Sequence, residues 1–192
     1  MRDIHVPRTA LLFAQEKHRG QQRTDGSPFI EHPLEVASLL RSVGASDDLV
    51  AAGALHDVME KTEVSAAELE GRFGARISRL VLAVSDDDRI RGYGERKAAL
   101  RRQVAGAGDE ALALFAADKL SKVRELRREM RTDRGADRAH PVHRPPRARR
   151  LRHYQRSLAM LEERLPNSPL VRQLRDELQA FLNERPLPAE VR

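Results

Sequence analysis

No cysteine occurs among the 192 residues, so disulfides, thiolate nucleophiles, iron–sulfur clusters and cysteine-based zinc sites are excluded together. Any metal ion must be held by histidine and carboxylate side chains. Tryptophan is also absent, and two tyrosines leave few platforms on which nucleic-acid bases could stack. The longest apolar runs, residues 49–55 and 111–117, fall far short of the ~18–20 residues of a membrane span. Residues 1–7 lack the apolar core and small-residue cleavage site of a secretory leader, so residence in the cytoplasm is expected. Strict alternation of apolar and polar residues, the mark of a half-buried strand, is almost nowhere found, and the chain is expected to be all-α.

What is present is helical periodicity. Ile77, Leu80, Val81 and Val84 recur at i, i+3, i+4 and i+7, and Leu151, Tyr154, Leu158, Leu161 and Leu165 continue such a stripe until Pro166 stops it. Ser65 with Glu68 forms a capping box, and Ser168 before Pro169 opens a last helix with Val171, Leu174, Leu178 and Phe181 facing inward. Further helices are expected over residues 8–22, 33–43, 47–60, 95–105 and 109–130, about nine in all. Residues 24–28 and 132–146 read as loops. The two helices beyond the second loop are too few to bury a core alone, so residues 1–192 are expected to form a single domain with an irregular basic loop at about 131–147.

Lysine and arginine number 35 against 29 acidic residues, a net charge of +6. Residues 131–152 carry eight arginines and two aspartates, which accounts for the whole excess. Such a segment suits a nucleic acid or an anionic ligand. The scarcity of aromatic residues argues against the nucleic acid.

His56-Asp57 ends an apolar run, residues 49–55, which is expected to be buried on every side. Burying an imidazole, a carboxylate and the nearby Glu60 costs several kcal/mol unless something pairs with them. A divalent cation would remove that cost. Asp118 follows a second apolar run, and His32 precedes Pro33 at a helix start. Taken singly, each is as readily a hydrogen-bonded core residue as a ligand.

Together these residues resemble the H…HD…D signature of the HD-domain metal-dependent phosphohydrolases, and more narrowly the (p)ppGpp hydrolase branch. Residues 14–23 and 26–33 resemble its K-H-x-G-Q-x-R…G-x-P-Y-I-x-H-P opening. Residues 55–60 with Phe73-Gly74 resemble L-H-D-x-x-E-D-T…F-G, and residues 117–120 resemble A-D-K-L-x-N-L-R. The resemblance extends over about residues 8–182 and implies an HD-domain helical bundle. It implies that His32, His56, Asp57 and Asp118 bind one divalent ion, most often Mn²⁺, and that Glu60 orients or deprotonates the attacking water. It further implies that Arg23 lies across a guanine base and that Arg150 and Tyr154, four residues apart on one helix face, contact substrate phosphate. The implied substrate is a guanosine polyphosphate cleaved at its 3′-pyrophosphate. Nothing in the sequence sets the oligomeric state.

Two positions depart from the family pattern. Lys61 stands where the family has the aspartate of its E-D pair, and Lys122 replaces an asparagine. Lys61 is i+4 from Asp57, close enough to pair with it or to reach a substrate phosphate. Both changes favour binding an anion without favouring its cleavage. Three readings therefore stay open: an alarmone hydrolase, a phosphohydrolase of another nucleotide, and a catalytically weak nucleotide-binding regulator.

Overall fold

A computed structural model describes residues 5–23, 26–132 and 146–184. They form α1 (His5–Lys17), α2 (Glu31–Ser42), α3 (Asp47–Leu55), the single turn α4 (Val58–Lys61), α5 (Ala66–Val84), α6 (Tyr93–Gly106), α7 (Asp109–Thr132), α8 (Arg147–Arg164) and α9 (Pro169–Asn183). Among the described residues there is no strand, only an isolated bridge between Gln22 and Pro28. Most of the basic loop expected at 131–147 lies outside the described residues.

The expected punctuation is in place. Ser46 and Ser65 cap α3 and α5, each accepting the backbone N–H three residues on, and Pro169 occupies the first turn of α9. Gly74, at φ +83°, kinks α5 in a conformation that side-chain-bearing residues rarely adopt. The kink leaves Phe73 edge-on to Phe13 of α1, their ring centroids 5.3 Å apart. The Phe73-Gly74 motif is thus a packing device.

Leu49 to Leu55 are all buried, so α3 is the central rod against which α1, α2, α5 and α7 pack. Its approach to α2 is close: a methyl group added at Gly53 would stand 2.7 Å from the buried Leu40 Cδ1. That contact brings the helix bearing His32 beside the one that ends at His56. Helices α8 and α9 pack back on α7, adding Leu161, Val171, Leu174 and Phe181 to the same buried cluster. Arg124 and Arg127 of α7 meet Glu177 of α9 at 3.4 and 2.8 Å. No described helix is long and apolar enough to cross a membrane.

Candidate active site

At the end of α3 the chain turns. His56 and Asp57 sit between α3 and α4 rather than inside the one helix expected over 47–60. His56 Nδ1 lies 2.8 Å from the Gly53 carbonyl, which can only accept, so Nδ1 carries a proton and Nε2 is the ring atom left to bind a metal or a second proton. On α2, His32 Nδ1 lies 2.8 Å from Ser121 Oγ. That hydroxyl donates its own proton to Glu35 Oε2 at 2.8 Å, so it accepts from His32 and leaves the second Nε2 bare. The two Nε2 atoms stand 3.1 Å apart.

Two carboxylates complete the cluster. Asp118 Oδ1 is 3.2 Å from His32 Nε2 and 3.5 Å from His56 Nε2, and Asp57 Oδ2 is 3.4 and 3.6 Å from them. Asp57 Oδ2 is buried without a hydrogen-bond partner, and Asp118 Oδ1 is buried beside the Lys122 ammonium. One ligand atom from each of His32, His56 and Asp118 lies within 4.8 Å of the others, and Asp57 Oδ2 stands beside the two imidazoles. A cation with ligand distances of about 2.0–2.2 Å holds neighbouring donors roughly 3.0–3.6 Å apart, which is the spacing seen. His32, His56 and Asp118 are placed so that they could hold a divalent metal.

The electrostatics agree. Burial pushes the His32 pKa down to about 4, so it is a neutral ligand near pH 7. Burial also lowers His56, but the Asp57 and Asp118 carboxylates outweigh it and its proton affinity is raised. Burial would raise the two aspartates. The lysines oppose it, Lys122 beside Asp57 and Lys119 with Lys122 beside Asp118, and both carboxyls are held below the usual range. Lys119 Nζ sits 2.5 Å from Asp118 Oδ2, and Lys122 Nζ 2.8 Å from Oδ1.

His32 and Asp57 of this cluster line a cavity of about 500 Å³. Seven cationic side chains and four carboxylates line it, a balance suited to a polyanion. The cavity meets Arg23, His32, Asp57, Glu60, Lys61, Lys122, Arg150 and Tyr154, which are eight of the ten residues expected at the site. His56 and Asp118 lie behind its wall.

Residues 10–151 match the HD domain family. The chain belongs to that family. Among relatives of this HD-domain protein, a guanosine-3′,5′-bis(diphosphate) 3′-pyrophosphohydrolase from Aquifex aeolicus (strain VF5) is 34% identical over 119 residues, 61% of this chain. The match spans only 17% of the length of the Aquifex protein. The Homo sapiens guanosine-3′,5′-bis(diphosphate) 3′-pyrophosphohydrolase MESH1 is 39% identical over 123 residues, 62% of this chain and 68% of its own. A solved structure of a metazoan ortholog of SpoT that hydrolyzes ppGpp shares the fold, with a TM-score of 0.76 at 24% identity, covering 94% of this chain and 97% of its own.

Within the HD-domain site, Glu60 Oε1 accepts the Asp86 backbone N–H at 2.8 Å. Burial and the Asp57 charge push the Glu60 carboxyl above its ordinary range. Arg23 has only 4% of its side chain exposed and lies 3.7 Å from Glu31 and 3.9 Å from Glu125, with Nε and Nη2 lacking hydrogen-bond acceptors. Arg150 donates to Glu129 at 2.9 Å, and its Nε is likewise unmet. Tyr154 serves both expected roles, packed in the core and lining the cavity.

One expectation needs correction. Lys61 does not form an ion pair with Asp57 among the described residues; its side chain is exposed at the cavity, and only its backbone N–H reaches back, to Asp57 O at 3.0 Å. Lys122 stands nearest Asp57 instead, with Nζ 4.0 Å from Oδ1. Sequence reasoning also missed Ser121, Glu35, Lys119 and Asp86. Glu35 and Ser121 each lie three residues after a ligand on the same helix, a spacing that offered a signal.

Proposed function

We propose that this protein is a metal-dependent phosphohydrolase that releases pyrophosphate from the 3′ position of (p)ppGpp, with Mn²⁺ as its cation. The observation that carries this reading is the clustering of the His32 and His56 Nε2 atoms, 3.1 Å apart, with the Asp118 and Asp57 carboxylates, beside a cavity rich in cationic groups. The relatives named above as guanosine-3′,5′-bis(diphosphate) 3′-pyrophosphohydrolases support the choice of substrate.

His32, His56, Asp57 and Asp118 hold the ion, and the Gly53 carbonyl and the Ser121–Glu35 relay fix the imidazole tautomers that make this possible. A divalent cation held there would supply Lewis acidity, making a water a better nucleophile near neutral pH and polarising the phosphoryl oxygens under attack. Glu60 takes the proton from the attacking water; its raised pKa brings it nearer the value a general base needs, and the Asp86 N–H fixes its orientation. Arg23 presents its unmet donors and planar face to the base, while Arg150, Tyr154 and Lys122 meet phosphate oxygens. Lys61, exposed at the cavity, adds a mobile positive charge for the same group.

Replacing Asp118 by Ala tests the chemistry. The variant is expected to lose Mn²⁺ binding and turnover of ppGpp together. Undiminished turnover in that variant with metal chelated contradicts the proposal.

A further inference from the structure

A second cavity, of about 260 Å³, opens between α6 and α8 and shares Tyr93, Lys97 and His153 with the metal-site cavity. Its lining holds Lys97, Arg101, Arg149, Arg152, His153 and Arg156 and no carboxylate. The sequence shows how this arises. Lys97 and Arg101 are i, i+4 on α6, while Arg149, Arg152, His153 and Arg156 are i, i+3, i+4 and i+7 on α8. Two cationic helix faces are thus packed toward each other, where like charges destabilise unless a counter-ion joins them.

Lys97 has the Asp86 carboxylate as a partner. Arg149, Arg152 and Arg156 form no ion pair among the described residues, and all three are exposed. Arg101 is half-buried and donates from Nη1 to His153 Nδ1 at 2.9 Å. A guanidinium can only donate, so Nδ1 accepts and His153 carries its proton on Nε2. That N–H belongs to a side chain only 5% exposed, and it has no acceptor. Cationic donors line this cavity, and no carboxylate among the lining residues receives them. An anion with several oxygens supplies what is missing.

The geometry points to a second anion site here, taking a phosphate or diphosphate group on Arg101, Arg152 and Arg156, beside the buried His153. Because the two cavities share a wall, the group has two sources: the uncleaved phosphates of a nucleotide lying in the metal-site cavity, or a free phosphate or pyrophosphate ion. The inference rests on the α6–α8 surface alone and holds whether or not the protein cleaves ppGpp.

The test is calorimetric titration of the full chain with inorganic pyrophosphate in the presence of EDTA, which keeps the probe off a metal-loaded site. Saturable binding is expected, weakened at least tenfold in the double variant Arg152→Gln/Arg156→Gln. Both residues are exposed, so the fold is retained. The control Arg79→Gln/Arg172→Gln, which removes the same charge from exposed positions elsewhere, is expected to bind as the parent does. No saturable binding, or equal loss in both double variants, overturns the proposal. Nucleotide titrations of the Asp118→Ala protein then separate the sources. Weaker binding of a guanosine 5′-diphosphate on adding Arg152→Gln/Arg156→Gln, with guanosine 5′-monophosphate unaffected, assigns the site to the nucleotide's tail. Equal affinities for both nucleotides, with pyrophosphate binding lost, assign it to the free ion.

Discussion

Lys122 and Glu60 are the residues whose surroundings say most about how the metal site is tuned. Lys122 Nζ lies 2.8 Å from Asp118 Oδ1, one of the oxygens that faces the metal position, so ammonium and divalent ion contend for the same carboxylate. Lys122→Met is therefore expected to tighten Mn²⁺ binding, by about tenfold if ~1.4 kcal/mol of competition is removed, while weakening nucleotide affinity; isothermal titration of each ligand checks both directions. Glu60→Gln keeps the shape but removes the base. Its kcat is expected to fall about 10²–10⁴-fold with metal stoichiometry unchanged, and loss of metal along with rate would reassign Glu60 to the ligand set.

His56 sets the pH dependence. Its proton affinity in the metal-free protein is raised by Asp57 and Asp118, and the metal needs the unprotonated Nε2. Proton and metal compete, so Mn²⁺ affinity falls as pH drops through the raised His56 pKa and recovers above it. Electron paramagnetic resonance titrations at about pH 5.5 and about pH 7.5 are expected to show markedly weaker binding at the lower value. Equal affinities would contradict a histidine-based site.

At the scale of elements, what was legible in the sequence followed from burial. The apolar runs before His56-Asp57 and Asp118 marked those groups as buried, as they are, while joining them with His32 into one ligand set rested on the resemblance to the HD-domain family. The break between α3 and α4 was not legible. Residues 55–61 contain no glycine or proline to announce it, and only the tertiary packing around α3 turns the chain there. The Lys122–Asp57 approach was hidden for a similar reason, since 65 positions separate the partners. The α6 and α8 arginines were visible as charge, but their convergence depends on helix packing that periodicity does not report. Gly53 shows how one such contact governs the site. Gly53→Ala would push a methyl group against the buried Leu40, and a loss of about 1–3 kcal/mol in stability is expected by denaturant unfolding, with weaker metal binding as α2 and α3 separate. Unchanged stability would show that α2 yields freely.

Across the whole molecule, the ligands come from α2, the α3–α4 turn and α7, and the ion would tie these parts of the chain together. α7 carries the tie further through Arg127, which meets both Glu177 and Glu184. Metal at about 100 times its Kd adds about 2.7 kcal/mol, or about 5–10 °C in Tm for a chain of this size. Differential scanning calorimetry is expected to show that rise in the parent and not in Asp118→Ala. The same rise in both would place the ion elsewhere.

The central claim is tested most directly by incubating purified protein with ppGpp, with and without Mn²⁺, and following pyrophosphate and phosphate release separately. The account predicts Mn²⁺-dependent release of pyrophosphate and no release of phosphate. Metal bound with ppGpp left intact would contradict it.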